Sequence, residues 1–356
     1  MQRRDFLIMA GLAVAVGATK VRAAATMADA YVGPGGHASL SSALRAAPGD
    51  ASRPYRIAIA PGLWRGQVRI DKPNIHLIGS GRDASVIAFG ASAGDRREDG
   101  STLGTAASAT VTVVAPGFHA YRLGIHNDFD YATALAAGAA QDGAQAVALR
   151  LAGNSDRCLL RDVALLSHQD TFYPDAGRCL LRHCLVAGSV DFIFGAGCAW
   201  FEQCELRSRH RPAQARQGWL VAPSTPISQA AGLVFDRCRL RADAGMPANS
   251  VALGRAWRPT RDFADGRYGD PQATGQAVFL DCWMDAHIDR AQGWDAMRYR
   301  SRSGERIDLS PEHARLYEYG SRGPGAARSP NRRWLSPAQA AEFRREVVLG
   351  DWREAA

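Results

Sequence analysis

Residues 168–195 read HQDTFYPDAGRCLLRHCLVAGSVDFIFG, and this stretch decides how the rest of the chain is interpreted. Near its end, Asp191 interrupts an apolar run over residues 190–194. A carboxylate is costly to bury among apolar side chains unless a second group compensates for it or a reaction requires it. Asp170 lies 21 residues before Asp191, so a repeat of that length would place the two acids on adjacent turns of one structure.

A repeat of this kind runs through the chain. In five segments, an apolar third residue is followed two positions later by another apolar residue, as in a β-strand. The third residues are spaced 21, 20, 34 and 44 residues apart, which gives two bare periods and then two with insertions. Short strands that recur at about twenty residues are typical of a solenoid, and here they predict an all-β fold, a parallel β-helix. The segments are 161–165, 182–186, 202–206, 236–240 and 280–284.

The N-terminus has the pattern of a twin-arginine signal peptide. Arg3 and Arg4 precede an apolar run that is short for a membrane span, and Val21-Arg22-Ala23 resembles a small-residue cleavage site. An uncleaved anchor is the alternative. We expect residues 1–23 to be removed and the mature protein to reside in the periplasm or outside the cell, without membrane association.

Composition predicts one domain over residues 24–356, because nothing resembles a flexible linker. Of the formal charge of +8, residues 1–23 carry +3, which leaves +5 for the remainder. A positive surface suits a polyanionic partner. No basic run with interleaved aromatic residues is present, so nucleic acid is not an expected partner. We expect the domain to be a monomer.

Four of the seven cysteines occupy the third position of the repeat: Cys184, Cys204, Cys238 and Cys282. We expect an inward ladder of thiols that behave as small buried hydrophobes. A disulfide between neighbouring rungs is the alternative. The sequence has no Cys-x-x-Cys pair and no histidine cluster at ligand spacing, so we expect no metal.

Short helices are predicted at both ends of the β-helix, where they would cover open strand edges. Residues 39–47 form an amphipathic pattern stopped by Pro48. Ser336-Pro337 begins a helical tail in good N-cap chemistry, and its apolar positions continue to Val347. Long insertions between coils usually build the walls of a cleft. The predicted insertions are 90–104, 128–143, 207–217, 241–249 and 258–274.

Asp170 and Asp191 are the first candidates for chemistry. On adjacent coils they would couple, so that one stays ionised while the other holds its proton, and the pair would supply a nucleophile and a general acid. Each alone has a plainer interpretation: Asp170 could cap a turn, and Asp191 could pair with an arginine.

Amide, guanidinium and aromatic side chains accompany the two acids in the sequence. Gln145 and Gln169 could donate hydrogen bonds to an oxyanion. Arg255 could hold Asp191 ionised, and Trp257 could stack on a sugar ring. Taken singly, the glutamines would be solvated strand residues, Arg255 a surface residue and Trp257 part of the core.

Several segments, in order, resemble the pectin methylesterase family of carbohydrate esterases. The resemblance covers roughly residues 28–352, and a set of ordered motifs is far more specific than any single one. The matching segments are Gln145-Ala-Val-Ala-Leu-Arg150, Gln169-Asp-Thr-Phe-Tyr173, Gly188-Ser-Val-Asp-Phe-Ile-Phe-Gly195, Leu253-Gly-Arg-Ala-Trp257 and Glu318-Tyr-Gly-Ser-Arg-Gly-Pro-Gly-Ala326.

The resemblance implies a right-handed parallel β-helix with no cofactor. It implies that Asp191 is the nucleophile, Asp170 the general acid and base, Gln145 and Gln169 the oxyanion-stabilising amides, Arg255 the residue that orients the nucleophile, and Trp257 and Phe194 the sugar-binding residues. The sequence departs from the family at three places: Gly62-Leu63-Trp64-Arg65-Gly66 lacks a glutamate, Ala196-Gly197 replaces Gly-Asn, and Ala256 replaces a proline. None removes a catalytic group, but all bear on substrate detail.

The resemblance therefore predicts a hydrolase that removes methyl groups from methyl-esterified galacturonan, with this polysaccharide as its partner. The alternatives are an esterase or acyl thioesterase on another substrate, and a non-catalytic polysaccharide-binding β-helix. The second alternative would not need both aspartates and both glutamines. A lyase is disfavoured because no acidic calcium-binding cluster is evident.

Overall fold

The computed structural model of the chain describes residues 28–50, 52–138 and 143–352. The predicted signal peptide, residues 1–23, lies outside this part, as do residues 139–142 of one predicted insertion and residues 353–356 of the tail. Within these ranges, no helix is long and apolar enough to cross a membrane.

Most strands belong to three parallel sheets, which we number 1 to 3 in the order in which each coil passes through them. Equivalent strands of successive coils pair in parallel register, for example Cys158–Arg161 with Arg178–Arg182. The right-handed parallel β-helix predicted from the repeat and the resemblance is therefore confirmed.

Sheet 1 contains ten strands: Ala30–Val32, Tyr55–Ile59, Ile75–Ile78, His119–Tyr121, Cys158–Arg161, Arg178–Arg182, Cys198–Glu202, Leu233–Asp236, Gln276–Leu280 and Arg315–Tyr319. Sheet 2 contains eight: Gly62–Arg65, Ser85–Phe89, Gly124–Asn127, Ala164–Leu166, Leu185–Gly188, Glu205–Ser208, Arg239–Ala242 and Trp283–Met284. Sheet 3 contains seven: Val68–Ile70, Val111–Val113, Leu149–Leu151, Phe172–Pro174, Val190–Gly195, Gly218–Pro223 and Val251–Gly254.

The second residue of each repeated segment forms the corner between sheets 1 and 2. Asp162, His183, Gln203, Arg237 and Asp281 all have φ between 49° and 54°. This left-handed conformation bends the chain sharply, so that the next residue, the third of the segment, points into the core. The repeat seen in the sequence is therefore a repeat of corners as well as of strands.

The third residues stack in the core, as predicted. Cys184, Cys204, Cys238 and Cys282 each place Sγ 3.4 to 3.6 Å from a carbonyl oxygen of the preceding coil. All seven cysteines are buried and free, so the thiol interpretation holds and the disulfide alternative does not. Burial raises the pKa of the Cys184, Cys204 and Cys238 thiols well above the usual value, which keeps them protonated.

The N-terminal helix is the predicted cap. It spans Leu40–Ala46 and begins at Ser39, whose hydroxyl accepts a hydrogen bond from the Ser42 amide in a capping box. Leu40, Ala43 and Leu44 are buried in the main core, so this helix covers the first coil.

The C-terminal tail corrects the prediction. It begins at the predicted N-cap, Ser336, but consists of three short pieces, the α-helix Pro337–Ala340, the 3₁₀ turn Ala341–Phe343 and the α-helix Arg345–Val348. The extended conformation of Arg344 (ψ 150°) interrupts the helix. The pieces pack along the outer face of sheet 1 instead of over its end, because the apolar residues of that face need cover.

Two predicted insertions contain secondary structure of their own, and two others, 207–217 and 241–249, begin inside the ends of the sheet 2 strands Glu205–Ser208 and Arg239–Ala242. Residues 128–143 include the helix Tyr131–Ala136, and residues 258–274 include the antiparallel hairpin Thr260–Phe263 with Gly266–Gly269. A second hairpin, Met297–Arg300 with Arg306–Leu309, was not predicted: both strands alternate apolar and polar residues, but each is only four residues long and lies outside the repeat. Two 3₁₀ turns span Thr105–Ser108 and Pro311–His313.

Candidate active site

A cleft of about 720 Å³ lies on the outer face of sheet 3, between the insertions. The sheet supplies its floor, and the 3₁₀ turn at residues 105–108 and the hairpin at 260–269 contribute to its walls. All seven residues predicted for the site line this one cleft: Gln145, Gln169, Asp170, Asp191, Phe194, Arg255 and Trp257.

The two aspartates are neighbours on adjacent coils. Phe172 pairs with Ile193, which sets the 21-residue register, and the Asp170 amide donates to the Val190 carbonyl at 3.0 Å. Both aspartates have positive φ, 65° for Asp170 and 49° for Asp191, and each is 8% exposed. Aspartate tolerates this conformation better than most side chains, and such strain is common at functional sites.

Arg255 distinguishes the two acids. Its Nε and Nη2 donate to the two carboxylate oxygens of Asp191, at 3.0 and 2.7 Å. Burial raises the pKa of Asp170 well above its usual value, the charge of Asp191 raises it further, and the charge of Arg255 opposes this only in part. The arrangement therefore favours an ionised Asp191 beside a protonated Asp170.

The two glutamines, like the two aspartates, are neighbours on adjacent coils, and Gln169 directly precedes Asp170. Gln145 and Gln169 form an isolated parallel bridge between adjacent coils, and the Ala146 amide donates to the Gln169 carbonyl at 3.0 Å. Both side chains are half-buried and border the cleft. Two amide groups thus lie on the same floor as the carboxylates, where they could donate to an oxyanion.

An aromatic wall borders the floor. Phe194 stacks on Tyr173 with ring centroids 4.1 Å apart and lies 5.9 Å from Trp257. The guanidinium of Arg150 lies 5.3 Å from the Tyr173 ring and pairs with Asp175 at 2.8 Å. Tyr173 was not among the predicted site residues, although it lies in the same segment as Asp170, three positions further along.

Two further groups were missed by sequence reasoning. Thr105, Arg261, Arg267 and Met297 line the cleft from inserted segments, where strand periodicity gives no signal. The Arg255 guanidinium lies over the Trp219 ring, with 3.7 Å between Arg255 Cζ and the ring centroid. Its place in the sheet 3 strand Gly218–Pro223, one coil after Asp191, was the only signal that could have identified it.

Residues 28–50, 52–138 and 143–352 contain no group of three or more His, Cys, Asp or Glu side chains that could hold a metal ion. The chemistry available in the cleft is that of paired carboxylates, amides and a guanidinium.

Comparison with known proteins agrees with the fold. The Pectinesterase family profile matches residues 26–345. Pectinesterase A of Dickeya dadantii is 43% identical over 323 residues, which cover 88% of this chain and 87% of the relative. A pectin methylesterase solved in complex with hexasaccharide VII is 41% identical, with a TM-score of 0.88 over 92% of this chain and 99% of that one. The pectin methylesterase from Yersinia enterocolitica is 40% identical, with a TM-score of 0.85 over 89% and 99%. This chain therefore belongs to the pectinesterase family.

Proposed function

We propose that the protein hydrolyses the methyl esters of galacturonan through an acyl-enzyme on Asp191. The observation that carries the proposal is the unequal pair of acids in the cleft. Asp191 receives both guanidinium hydrogen bonds of Arg255, whereas burial and the charge of Asp191 raise the pKa of Asp170. Such a pair supplies a nucleophile and a general acid at one site.

In the first half of the reaction, a carboxylate oxygen of Asp191 bonds to the ester carbonyl carbon, and the carbonyl electrons move onto its oxygen. The amides of Gln145 and Gln169 donate hydrogen bonds to this oxyanion. When the intermediate collapses, the bond from carbon to the methoxy oxygen breaks. Asp170 gives its proton to that oxygen, and methanol leaves.

In the second half, Asp170 is a carboxylate and acts as a base. It takes a proton from a water molecule whose oxygen bonds to the acyl carbon, and the bond from that carbon to Asp191 breaks. The free acid of galacturonan leaves, Asp191 is again an anion and Asp170 is again protonated. Arg255 favours the anionic state of Asp191 that begins and ends the cycle.

The cleft suits a polysaccharide. The rings of Tyr173, Phe194 and Trp257 offer flat apolar faces against which sugar rings pack. Arg261 and Arg267 lie on the hairpin at the rim, where their charge would attract a chain that gains carboxylates as its esters are hydrolysed. A relative with the same fold is known in complex with a hexasaccharide, which supports an oligosaccharide as the ligand of this cleft.

The cellular setting belongs to the same proposal. We expect export by the twin-arginine signal at residues 1–23, and a mature protein that acts as a monomer in the periplasm or outside the cell, without cofactor or membrane association. N-terminal sequencing of the exported protein and light scattering on a sizing column test the cleavage and the monomer.

The central experiment measures methanol released from methyl-esterified pectin by the purified mature protein. Asp191→Ala and Asp170→Ala are compared with Asp285→Ala, a matched aspartate outside the cleft whose carboxylate bonds to Trp283. We expect release by the parent protein and by Asp285→Ala, and near-complete loss in the two cleft variants.

Each alternative has its own outcome in that experiment. Hydrolysis of an acyl thioester, with no methanol from pectin, would overturn the substrate. Binding of pectin with no hydrolysis of any ester would indicate a non-catalytic β-helix. Full activity of Asp191→Ala would overturn the mechanism for every ester substrate.

A further inference from the structure

Arg255 is held on two sides, and only one of them is the nucleophile. One edge of its guanidinium bonds to Asp191, and its face lies 3.7 Å from the centroid of the Trp219 ring. A long arginine side chain has many rotamers, so a bidentate bond to one carboxylate needs something that fixes the plane of the guanidinium.

The stacking of coils explains why Trp219 is in this position. Trp219 pairs with Val190 of the preceding coil and with Ala252 of the following one. Asp191 and Arg255 therefore come from coils on either side of Trp219, and the indole occupies the coil between them. Trp219 is half-buried and is not among the residues that line the cleft, so its nearest link to the site is the Arg255 side chain.

Trp219 is itself fixed by a carboxylate. Its Nε1 donates to Asp295 Oδ2 at 2.7 Å, and Asp295 Oδ1 accepts from Arg216 at 3.2 Å. The Asp295 amide donates to the Gly254 carbonyl at 3.0 Å, which attaches this carboxylate to the residue before Arg255. A carboxylate that accepts from the indole N–H makes the ring face more negative and so a better support for a cation.

The charge of Asp295 also acts on Arg255. Burial alone would lower the pKa of Arg255, but the charge and hydrogen bonds of Asp191, together with the weaker charges of Asp295 and Asp170, raise it. The side chains of Asp295 and Arg216 are 19% and 29% exposed, so their charges are only partly screened by water.

We propose that Trp219 and Asp295 are positioning residues: Asp295 orients and polarises the indole, and the indole holds the Arg255 guanidinium in the plane that presents two donors to Asp191. This inference rests on the proposed function and adds to it two residues that act on Asp191 through Arg255. Loosening Arg255 would leave Asp191 less often ionised and less well aimed, while the sugar-binding wall stays intact.

The test compares Trp219→Leu, Trp219→Phe and Asp295→Asn with a matched control, Trp283→Leu. Trp283 also donates its indole N–H to an aspartate, Asp285, at 2.8 Å, but it is 45% exposed and lies outside the cleft. The phenylalanine variant keeps an aromatic ring but loses the N–H, and Asp295→Asn keeps an acceptor without its charge. Both change the packing less than Trp219→Leu does, so they test the proposal if that variant fails to fold.

We expect kcat for methanol release to fall about tenfold in Trp219→Leu, with KM changed less than about twofold, and to fall less in Trp219→Phe and Asp295→Asn. The acidic limb of the pH profile of kcat/KM moves to higher pH, because a weaker cation contact disfavours the anionic state of the aspartate pair. Trp283→Leu should match the parent protein in both respects.

A second readout needs no substrate. The side-chain carboxyl carbons of the Asp170 and Asp191 pair are titrated by ¹³C NMR, and the lower of their two apparent midpoints should rise in Trp219→Leu and Asp295→Asn but not in Trp283→Leu. Unchanged midpoints and an unchanged acidic limb would overturn the inference. If the parent protein releases no methanol, the proposed function fails, and the titration alone decides the role of Trp219.

Discussion

Two pairs of arginine and carboxylate in this molecule have the same bidentate geometry and different surroundings. Near the C-terminal end of the β-helix, Arg332 donates to both oxygens of Glu318, and neither side chain is exposed. In the cleft, Arg255 donates to both oxygens of Asp191, and the side chains are 21% and 11% exposed.

The difference lies in what else each pair contacts. Arg332 also donates to the Gly325 carbonyl at 2.7 Å, which ties residues 318–332 across the last coil. Asp191 instead faces a second carboxyl, Asp170, whose proton it helps to retain. A pair enclosed in protein stabilises the structure that encloses it, whereas a pair that borders a cleft and a second acid can react.

The largest effect is expected at the reactive pair. Asp191→Asn preserves the shape of the side chain but removes the nucleophilic charge, so kcat for methanol release should fall by about 10⁴-fold or more. The free energy of unfolding, measured in urea, should change far less than the activity. Near-parental turnover by this variant, after exclusion of deamidation by mass spectrometry, would contradict the assignment of the nucleophile.

For the enclosed pair, Arg332 and Glu318, we expect a loss of stability without a loss of activity. Glu318→Gln leaves the Arg332 charge buried without an opposite charge and should lower the free energy of unfolding by about 3–5 kcal/mol, with kcat unchanged at temperatures where the variant stays folded. The double variant Glu318→Leu with Arg332→Met removes both charges and should lose less stability than the single change. A more stable single variant would show that the pair does not hold the last coil.

Asp170 allows a test of smaller effect, because ionisation of its buried carboxyl group should lower the free energy of unfolding. Its pKa is raised in the folded protein, so the folded state binds this proton more tightly than the unfolded chain does, and the resulting stabilisation is lost as pH rises through the folded pKa. Asp170→Asn cannot ionise, so its free energy of unfolding should gain on that of the parent protein as pH rises from about 4 towards neutrality. Parallel pH dependences in the two proteins would contradict the raised pKa.

The smallest effect is expected at an exposed pair with the same bidentate geometry. Arg298 donates to both oxygens of Asp308, at 2.9 and 3.1 Å, on the hairpin formed by residues 297–309. Solvent screens this pair, so Asp308→Asn should leave the urea midpoint unchanged within error, along with the methanol release rate. A clear loss of stability would mean that exposure is a poor guide to which pairs matter here.

The local pattern of the chain is enough to predict the coils. Alternation around the repeated third residue identifies the strands, and the 21-residue spacing of Asp170 and Asp191 predicts that they are neighbours. The prediction succeeds because each coil of a β-helix pairs only with the coils next to it, so a spacing along the chain is directly a spacing in space. The residue types suggested the chemistry of the site, the resemblance assigned each residue its role, and these roles remain predictions.

Where the chain leaves that repeat, spacing no longer predicts position. The helical tail lies along sheet 1 because apolar residues of that face need cover, and this could not be read from its own amphipathic pattern. Trp219 and Asp295 lie 76 residues apart, and no pattern links them.

By itself, the sequence determined the coil: its strands, its ladder of thiols and the adjacency of Asp170 and Asp191, since all three follow from a period. The tertiary structure decided which acid is paired and which is left to hold a proton, because Arg255 lies 64 residues beyond Asp191 and reaches it across an intervening coil. Burial and the direction of a guanidinium depend on contacts between coils, and a one-dimensional pattern does not contain them.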